Sequence, residues 1–192
     1  MTAAAETAVP VQRHRWTVDD FHRMVEHGVI GENDRIELLD GELYEMTPIG
    51  SRHAAATDFL LRALDRAVGD AAVVRCQSPI RLGDLSEPQP DLALLRPRPD
   101  WYRDAHPSPG DVLLVIEVAD RSLAYDRDLK LPAYARAGIP EAWLIALNDG
   151  RLEIHRNPAP DGYRRIERMP LDEAEAVPLP VGETSVDLRP LA

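Results

Sequence analysis

The stretch Asp111–Leu147 reads DVLLVIEVADRSLAYDRDLKLPAYARAGIPEAWLIAL, and its hydrophobic pattern divides it into strand, helix and strand. Asp111–Val118 is almost wholly apolar and rich in β-branched residues, as suits a central strand buried on both faces. A polar segment leads into a helix ending at Ala137-Gly138, where the glycine supplies the stop. Pro140–Leu147 then reads as a second buried strand.

Working outward, Asp91–Leu95 and Ala72–Ile80 are further strand candidates on either side of the polar turn Gly83–Gln89. The proline-rich loop Arg96–Gly110 joins them to the central strand. Upstream, Arg52–Val68 carries Ala56, Phe59, Leu60, Ala63, Leu64 and Ala67 at helical spacing, and Gly69 ends it. Arg35–Met46, RIELLDGELYEM, predicts two short strands around Asp40-Gly41, a strong hairpin signal. Thr17 and Asp20 form a capping-box pattern that opens a short helix to about Glu26. Downstream, Arg151–Arg156 and Tyr163–Met169 read as a terminal hairpin, whereas the acidic, proline-bearing stretch Leu171–Ala192 carries no assignable pattern. The expected class is α+β with an α/β core: a mixed sheet flanked by two principal helices. The expected organisation is a flexible segment over 1–15, one domain over 16–170 and an acidic tail over 171–192.

Composition narrows the function classes. The 192 residues are ample for one core, and no stretch approaches the roughly 20 apolar residues of a membrane helix. The N-terminus lacks the apolar centre of a signal peptide. Cys76 is the sole cysteine, which excludes an intramolecular disulfide and a cysteine-based zinc site and points to a reducing cytoplasm. A formal net charge of -11 opposes tight, non-specific binding to nucleic acid, although a divalent-metal site would account for some of the carboxylates. Arg96, Arg98 and Arg103, and Arg151, Arg156, Arg164, Arg165 and Arg168, form local basic groups. Lys130 is the only lysine; every other basic position except histidine is arginine. A lysine retained in that setting marks a place where a compact ammonium is not replaceable by a planar guanidinium.

Three ionisable residues fall where packing alone would not choose them. Asp91 opens an apolar strand, Glu117 ends the most hydrophobic strand, and Lys130 lies near the start of the following helix. Two carboxylates on adjacent strands can share a hard divalent cation such as Mg²⁺ and leave positions for water and a phosphate oxygen. The ammonium can orient the attacking water or offset charge developing at phosphorus. Each residue also has a structural reading: Asp91 as a turn residue, Glu117 paired with an arginine such as Arg121, Lys130 as a solvated helix residue. Their order, Asp, Glu and Lys on strand, strand and helix, favours the functional one.

The segments RIELLDGELYEM, SRHAAA, QPDLALL and LLVIEVADRSLAYDRDLKLPAYARAGIPEAWLI resemble the Uma family of restriction-endonuclease-like proteins, from about Thr17 to Arg156. The family is placed in the PD-(D/E)XK nuclease superfamily. The resemblance implies an α/β core and an Mg²⁺- or Mn²⁺-dependent site with Asp91 and Glu117 as metal ligands. It also implies that the lysine missing at Ala119, two residues after the glutamate, is supplied by Lys130. An additional N-terminal glutamate often joins such sites, with Glu42 as the first candidate and Glu37 as the second. His53, as a phosphate or supporting group, and Asp126 match recurring family positions. The usual Ser-Pro-Ser after the glutamate is replaced by Asp120-Arg121-Ser122, and Pro132 is tolerable only in a first helical turn.

The leading expectation is therefore a metal-dependent endonuclease hydrolysing phosphodiester bonds of DNA, with Asp91, Glu117, Lys130 and Glu42 at its centre. The alternatives are a catalytically silent interaction module that keeps the fold, and a metal-dependent hydrolase of small phosphoesters, which would suit the acidity. A homodimer would serve cutting of two strands, although no sequence-reading element is visible.

Overall fold

The computed structural model describes residues 12–31 and 33–192. Of the flexible segment expected over 1–15, residues 1–11 lie outside the described residues. Helix α1 (Val18–Glu26) opens on Thr17, whose side chain accepts from the Asp20 amide while the Asp20 carboxylate returns the bond, so the capping box is closed. Strands β1 (Ile36–Leu39) and β2 (Glu42–Glu45) pair antiparallel through Asp40 and Gly41, both at positive φ. Glycine is required here: a Cβ on Gly41 would lie 2.6 Å from that of Arg15. Val18, Phe21, Ile30 and Leu38 join α1 to this hairpin in a small core.

The main sheet runs β3 (Val73–Cys76), β4 (Leu92–Leu95), β5 (Val112–Ala119), β6 (Glu141–Ala146), β7 (Arg151–Ala159) and β8 (Gly162–Pro170), hydrogen-bonded in that order. Only β5 and β6 are parallel; the other pairs are antiparallel. The sheet is mixed and helices flank it, as the pattern of the chain predicts. Strand β3 is shorter than Ala72–Ile80, because Gln77 turns to a φ of 45° and leaves the ladder.

Strand β5 alternates across two cores. Leu114, Ile116 and Val118 face helix α2 (Ser51–Val68), which contributes Ala56, Leu60, Leu64 and Val68. Val115 and Ala119 face the other side with Leu131, Tyr134 and Leu144. Burial on both faces accounts for the unbroken apolar run. The segment from Leu171 onward, left without a pattern above, packs on the α2 side through Leu171, Val177, Leu179, Val181, Val186 and Leu188. It includes a short antiparallel pair, β9 (Val177–Pro178) with β10 (Ser185–Val186).

The connection from β5 to β6 is not one regular helix. It begins as a single turn, α3 (Leu123–Tyr125), widens to a π-helical turn over Asp126–Lys130, and continues as α4 (Leu131–Arg136). Pro132 has no amide to give and its ring would crowd the carbonyl four residues back. The wider turn, in which the Leu131 amide donates to the Asp126 carbonyl, makes room for it.

Candidate active site

Glu117 lies on the α4 face of β5, 2% exposed. Its Oε1 accepts from Tyr134 OH at 2.6 Å and lies 2.8 Å from Lys130 Nζ. Its Oε2 has no hydrogen-bond partner among the described residues. Lys130 is as deeply buried; Nζ also donates to the Gln89 carbonyl at 3.0 Å and stands 3.7 Å from Glu37 Oε2. Arg121, the arginine considered as a partner for Glu117, forms no ion pair among the described residues and lies at the cavity mouth.

Asp91 immediately precedes β4 and extends its ladder with a side chain: Oδ2 accepts from the Val118 amide of β5 at 2.8 Å. That bond is a structural reason for an aspartate at this place. Oδ1 lies 3.0 Å from His53 Nε2, on the first turn of α2, and 3.4 Å from Gln77 Nε2. His53 Nδ1 is buried without a partner among the described residues.

Glu37 on β1 is fully buried in the same cluster, accepting from the Gln89 amide at 2.7 Å and from Tyr125 OH at 2.8 Å. Asp126 is 3% exposed and accepts from Ser122 Oγ. The π turn brings Asp126 and Lys130 to the same buried side, and Tyr134 follows one turn later. Asp91, Glu117, Glu37, Asp126, His53 and Lys130 thus line one cavity of about 300 Å³. Arg35 and Arg121 also line it.

The sequence-predicted Glu42 does not join them. It sits beside the hairpin turn, where its carboxylate pairs with Arg13 and accepts from Tyr44 OH, and it does not line the cavity. Glu37, the second candidate, occupies the buried end of the same hairpin because the neighbouring backbone at Leu38 bridges to Glu87. Sequence reasoning missed Tyr125, Gln89, Arg35 and Tyr134. Only Tyr134 had a readable signal, its i+4 spacing from Lys130.

The electrostatics are unbalanced. Burial pushes the Glu117 carboxyl well above the usual range, Lys130 opposes this, and Asp126 and Asp91 add to it. Burial likewise raises Asp126 to about 6 against the pull of Lys130 and Ser122. Burial disfavours the charged form of Lys130, but Glu117, Glu37, Asp126 and Asp91 together outweigh it and hold the ammonium charged. The bond to Asp91 raises His53, and Asp91 falls because His53, Lys130 and the Val118 amide outweigh its burial. Lys130, Arg35 and Arg121 share the cavity with a larger number of acidic side chains, among them Asp91, Glu117, Glu37 and Asp126.

That donor set fits a divalent cation. Hard oxygens are present, and burial together with the neighbouring acidic groups raises Glu117 and Asp126, a crowding that a bound cation would relieve. Among the described residues no three His, Cys, Asp or Glu side chains converge as a ready cage. A Mg²⁺-type site of one or two carboxylates completed by water and phosphate needs no such cage.

A family model described as "Putative restriction endonuclease", Uma2, matches residues 18–189. The chain belongs to the Uma2 family. Among solved structures it is similar to a putative nuclease belonging to DUF820 from Anabaena variabilis ATCC 29413, at 18% identity and a TM-score of 0.68. That alignment covers 91% of this chain and 96% of the other, so the two share a fold over nearly their whole lengths. No curated protein matches the sequence. Membership of Uma2 makes the chain nuclease-like, and no helix among its described residues is long and apolar enough to cross a membrane.

Proposed function

We propose that this Uma2 member is a metal-dependent endonuclease hydrolysing phosphodiester bonds of DNA. The observation that supports the reading is the meeting of Asp91, Glu117 and Lys130 in one cavity whose carboxylates outnumber its cations. Asp91 and Glu117 are the residues that would hold Mg²⁺ or Mn²⁺. Such an ion, when bound, polarises the phosphoryl group and makes a bound water more acidic.

The protein's own groups supply the rest. Glu117 and Glu37 keep Lys130 charged and aimed, so its ammonium can orient the water that bonds to phosphorus as the ester P–O bond breaks. The water's proton is released and the leaving oxygen is protonated in turn. Arg35 and Arg121, which line the cavity, offer donors to phosphate in a protein whose net charge is -11. His53, whose Nε2 lies 3.0 Å from Asp91 Oδ1, has a buried Nδ1 without a partner among the described residues, which can meet a phosphate oxygen when it carries a proton. A homodimer would serve the cutting of both strands, and the reducing cytoplasm is the setting we assign.

One observation favours a second reading. Lys130 already donates to the Gln89 carbonyl and pairs with Glu117, as it would in a catalytically silent module where the network only supports the fold. Hydrolysis of a small phosphoester is the third reading, and the net charge of -11 suits it. Incubation with supercoiled plasmid and with a small diester in Mn²⁺ separates all three. DNA cleavage lost in Asp91→Asn supports the endonuclease; turnover of the small diester alone supports the third reading. A folded wild type that cuts neither substrate favours the silent module.

A further inference from the structure

The carboxylates of the cavity are not held alike. Glu37 has both oxygens occupied: Oε1 accepts from Tyr125 OH at 2.8 Å and Oε2 from the Gln89 amide at 2.7 Å. Asp91 gives Oδ2 to the Val118 amide and sets Oδ1 3.0 Å from His53 Nε2. Glu117 differs. Two donors, Tyr134 OH at 2.6 Å and Lys130 Nζ at 2.8 Å, converge on its Oε1, and Oε2 has no hydrogen bond among the described residues. A carboxylate that takes both donors on one oxygen is held by one end, and its other oxygen keeps its lone pairs for a ligand.

Tyr134 can act on the cavity only through Glu117. Its side chain is fully buried in the same core as Val115, Leu131 and Leu144, and it does not line the cavity. Burial, with Glu117 and Glu37 nearby, raises the phenol well above its ordinary range, so the hydroxyl stays protonated and donates. A ring locked by packing cannot follow a carboxylate that turns, so the bond fixes one direction for Oε1. Lys130 does not fix it alone. Its ammonium is shared with the Gln89 carbonyl and Glu37, on a flexible four-carbon stem.

We propose that Tyr134 is a positioning residue that restricts Glu117 to one oxygen, Oε2, toward a divalent cation and so tunes the site to Mg²⁺ or Mn²⁺ over Ca²⁺. Mg²⁺ demands near-ideal octahedral geometry and is held by one or two carboxylates with several waters, a geometry Mn²⁺ shares. Ca²⁺ takes roughly six to eight oxygens and readily accepts both oxygens of one carboxylate. With Oε1 occupied, Glu117 does not offer that second oxygen. The inference rests on the reading of Asp91 and Glu117 as metal ligands.

The test is calorimetric titration of Mn²⁺ and, separately, of Ca²⁺ into the full chain, into Tyr134→Phe and into Tyr163→Phe. Tyr163 is the control: its hydroxyl donates to the Ile139 carbonyl at 3.0 Å, and it does not line the cavity. Each variant loses one hydroxyl and keeps its ring, and thermal unfolding checks that both are folded. Tyr134→Phe should bind Mn²⁺ at least about tenfold more weakly than the wild type, the scale of losing a group that orients a metal ligand. Its Ca²⁺ affinity should fall by less than about threefold, whereas a purely structural role would weaken both ions together. Tyr163→Phe should bind both ions like the wild type. Unchanged Mn²⁺ affinity in Tyr134→Phe, an equal fall for both ions, or an equal fall in Tyr163→Phe overturns the assignment and leaves the metal site standing. No Mn²⁺ binding by the wild type overturns the metal reading itself, and the role of Tyr134 with it.

Discussion

Two groups of buried carboxylates on the same sheet have opposite characters. At the β7 side, Glu153 is 2% exposed and meets Arg127 at 3.0 Å, Arg168 at 3.2 Å and His155 at 3.2 Å. Burial would raise its carboxyl, but these neighbours outweigh burial and hold it below the usual range. Glu141 nearby takes Arg156 through two nitrogens, at 2.7 and 3.0 Å, and the Trp143 indole at 2.6 Å. Under α4 the imbalance is reversed, and Glu117 and Asp126 are pushed upward. The first group is matched within the chain and serves the fold. The second keeps charge that the chain does not neutralise, which costs stability and is explained if a cation from outside completes it.

The largest effect expected from this contrast is on activity. Lys130→Met should lower DNA cleavage by about 10²–10³-fold, and Lys130→Arg should also lose it, because a fork cannot replace the compact ammonium. Cleavage unchanged in Lys130→Arg would remove the lysine from the chemistry.

Stability should move in opposite directions in the two groups. The unfolded Asp126 releases its proton near 3.8, whereas the folded one keeps it to about 6. Folding stability therefore falls as pH rises from roughly 4 to 6 and stays lower above. Asp126→Asn removes that loss, so it should be more stable than wild type at pH 8 by on the order of 2–3 kcal/mol and nearly equal at pH 4. Glu153→Ala leaves Arg127, Arg168 and His155 without their shared partner and should destabilise by about 1–3 kcal/mol at pH 8, discounted because both arginines are partly exposed. Thermal or urea unfolding at the two pH values checks both. The smallest effect concerns the hairpin: Glu37→Gln should impair cleavage, while Glu42→Gln should leave it within about twofold, and the reverse result would reinstate Glu42.

Much of this architecture was legible because local signals agreed with tertiary need. The apolar run of β5, the Asp40-Gly41 turn and the Thr17–Asp20 cap each follow from short-range rules. Asp91, Glu117 and Lys130 stood out because charge at the ends of apolar elements has few structural excuses. The choice between Glu37 and Glu42 was not legible. Both sit in one hairpin, and the decision came from the Leu38–Glu87 bridge, a contact between distant segments. The π turn has no composition of its own, so the shared direction of Asp126 and Lys130 was hidden until the Pro132 ring had to be accommodated. From Leu171 onward the buried leucines and valines are spaced by prolines and short turns, so no period announces their place in the core.

The most direct test of the central claim is calorimetric titration of Mn²⁺ into the wild type and into Asp91→Ala with Glu117→Ala, in buffers of different ionisation enthalpy near pH 6. The account predicts saturable binding to the wild type, accompanied by release of protons held in the cavity, and none to the double variant. Equal binding to both, or binding without proton release, would contradict it.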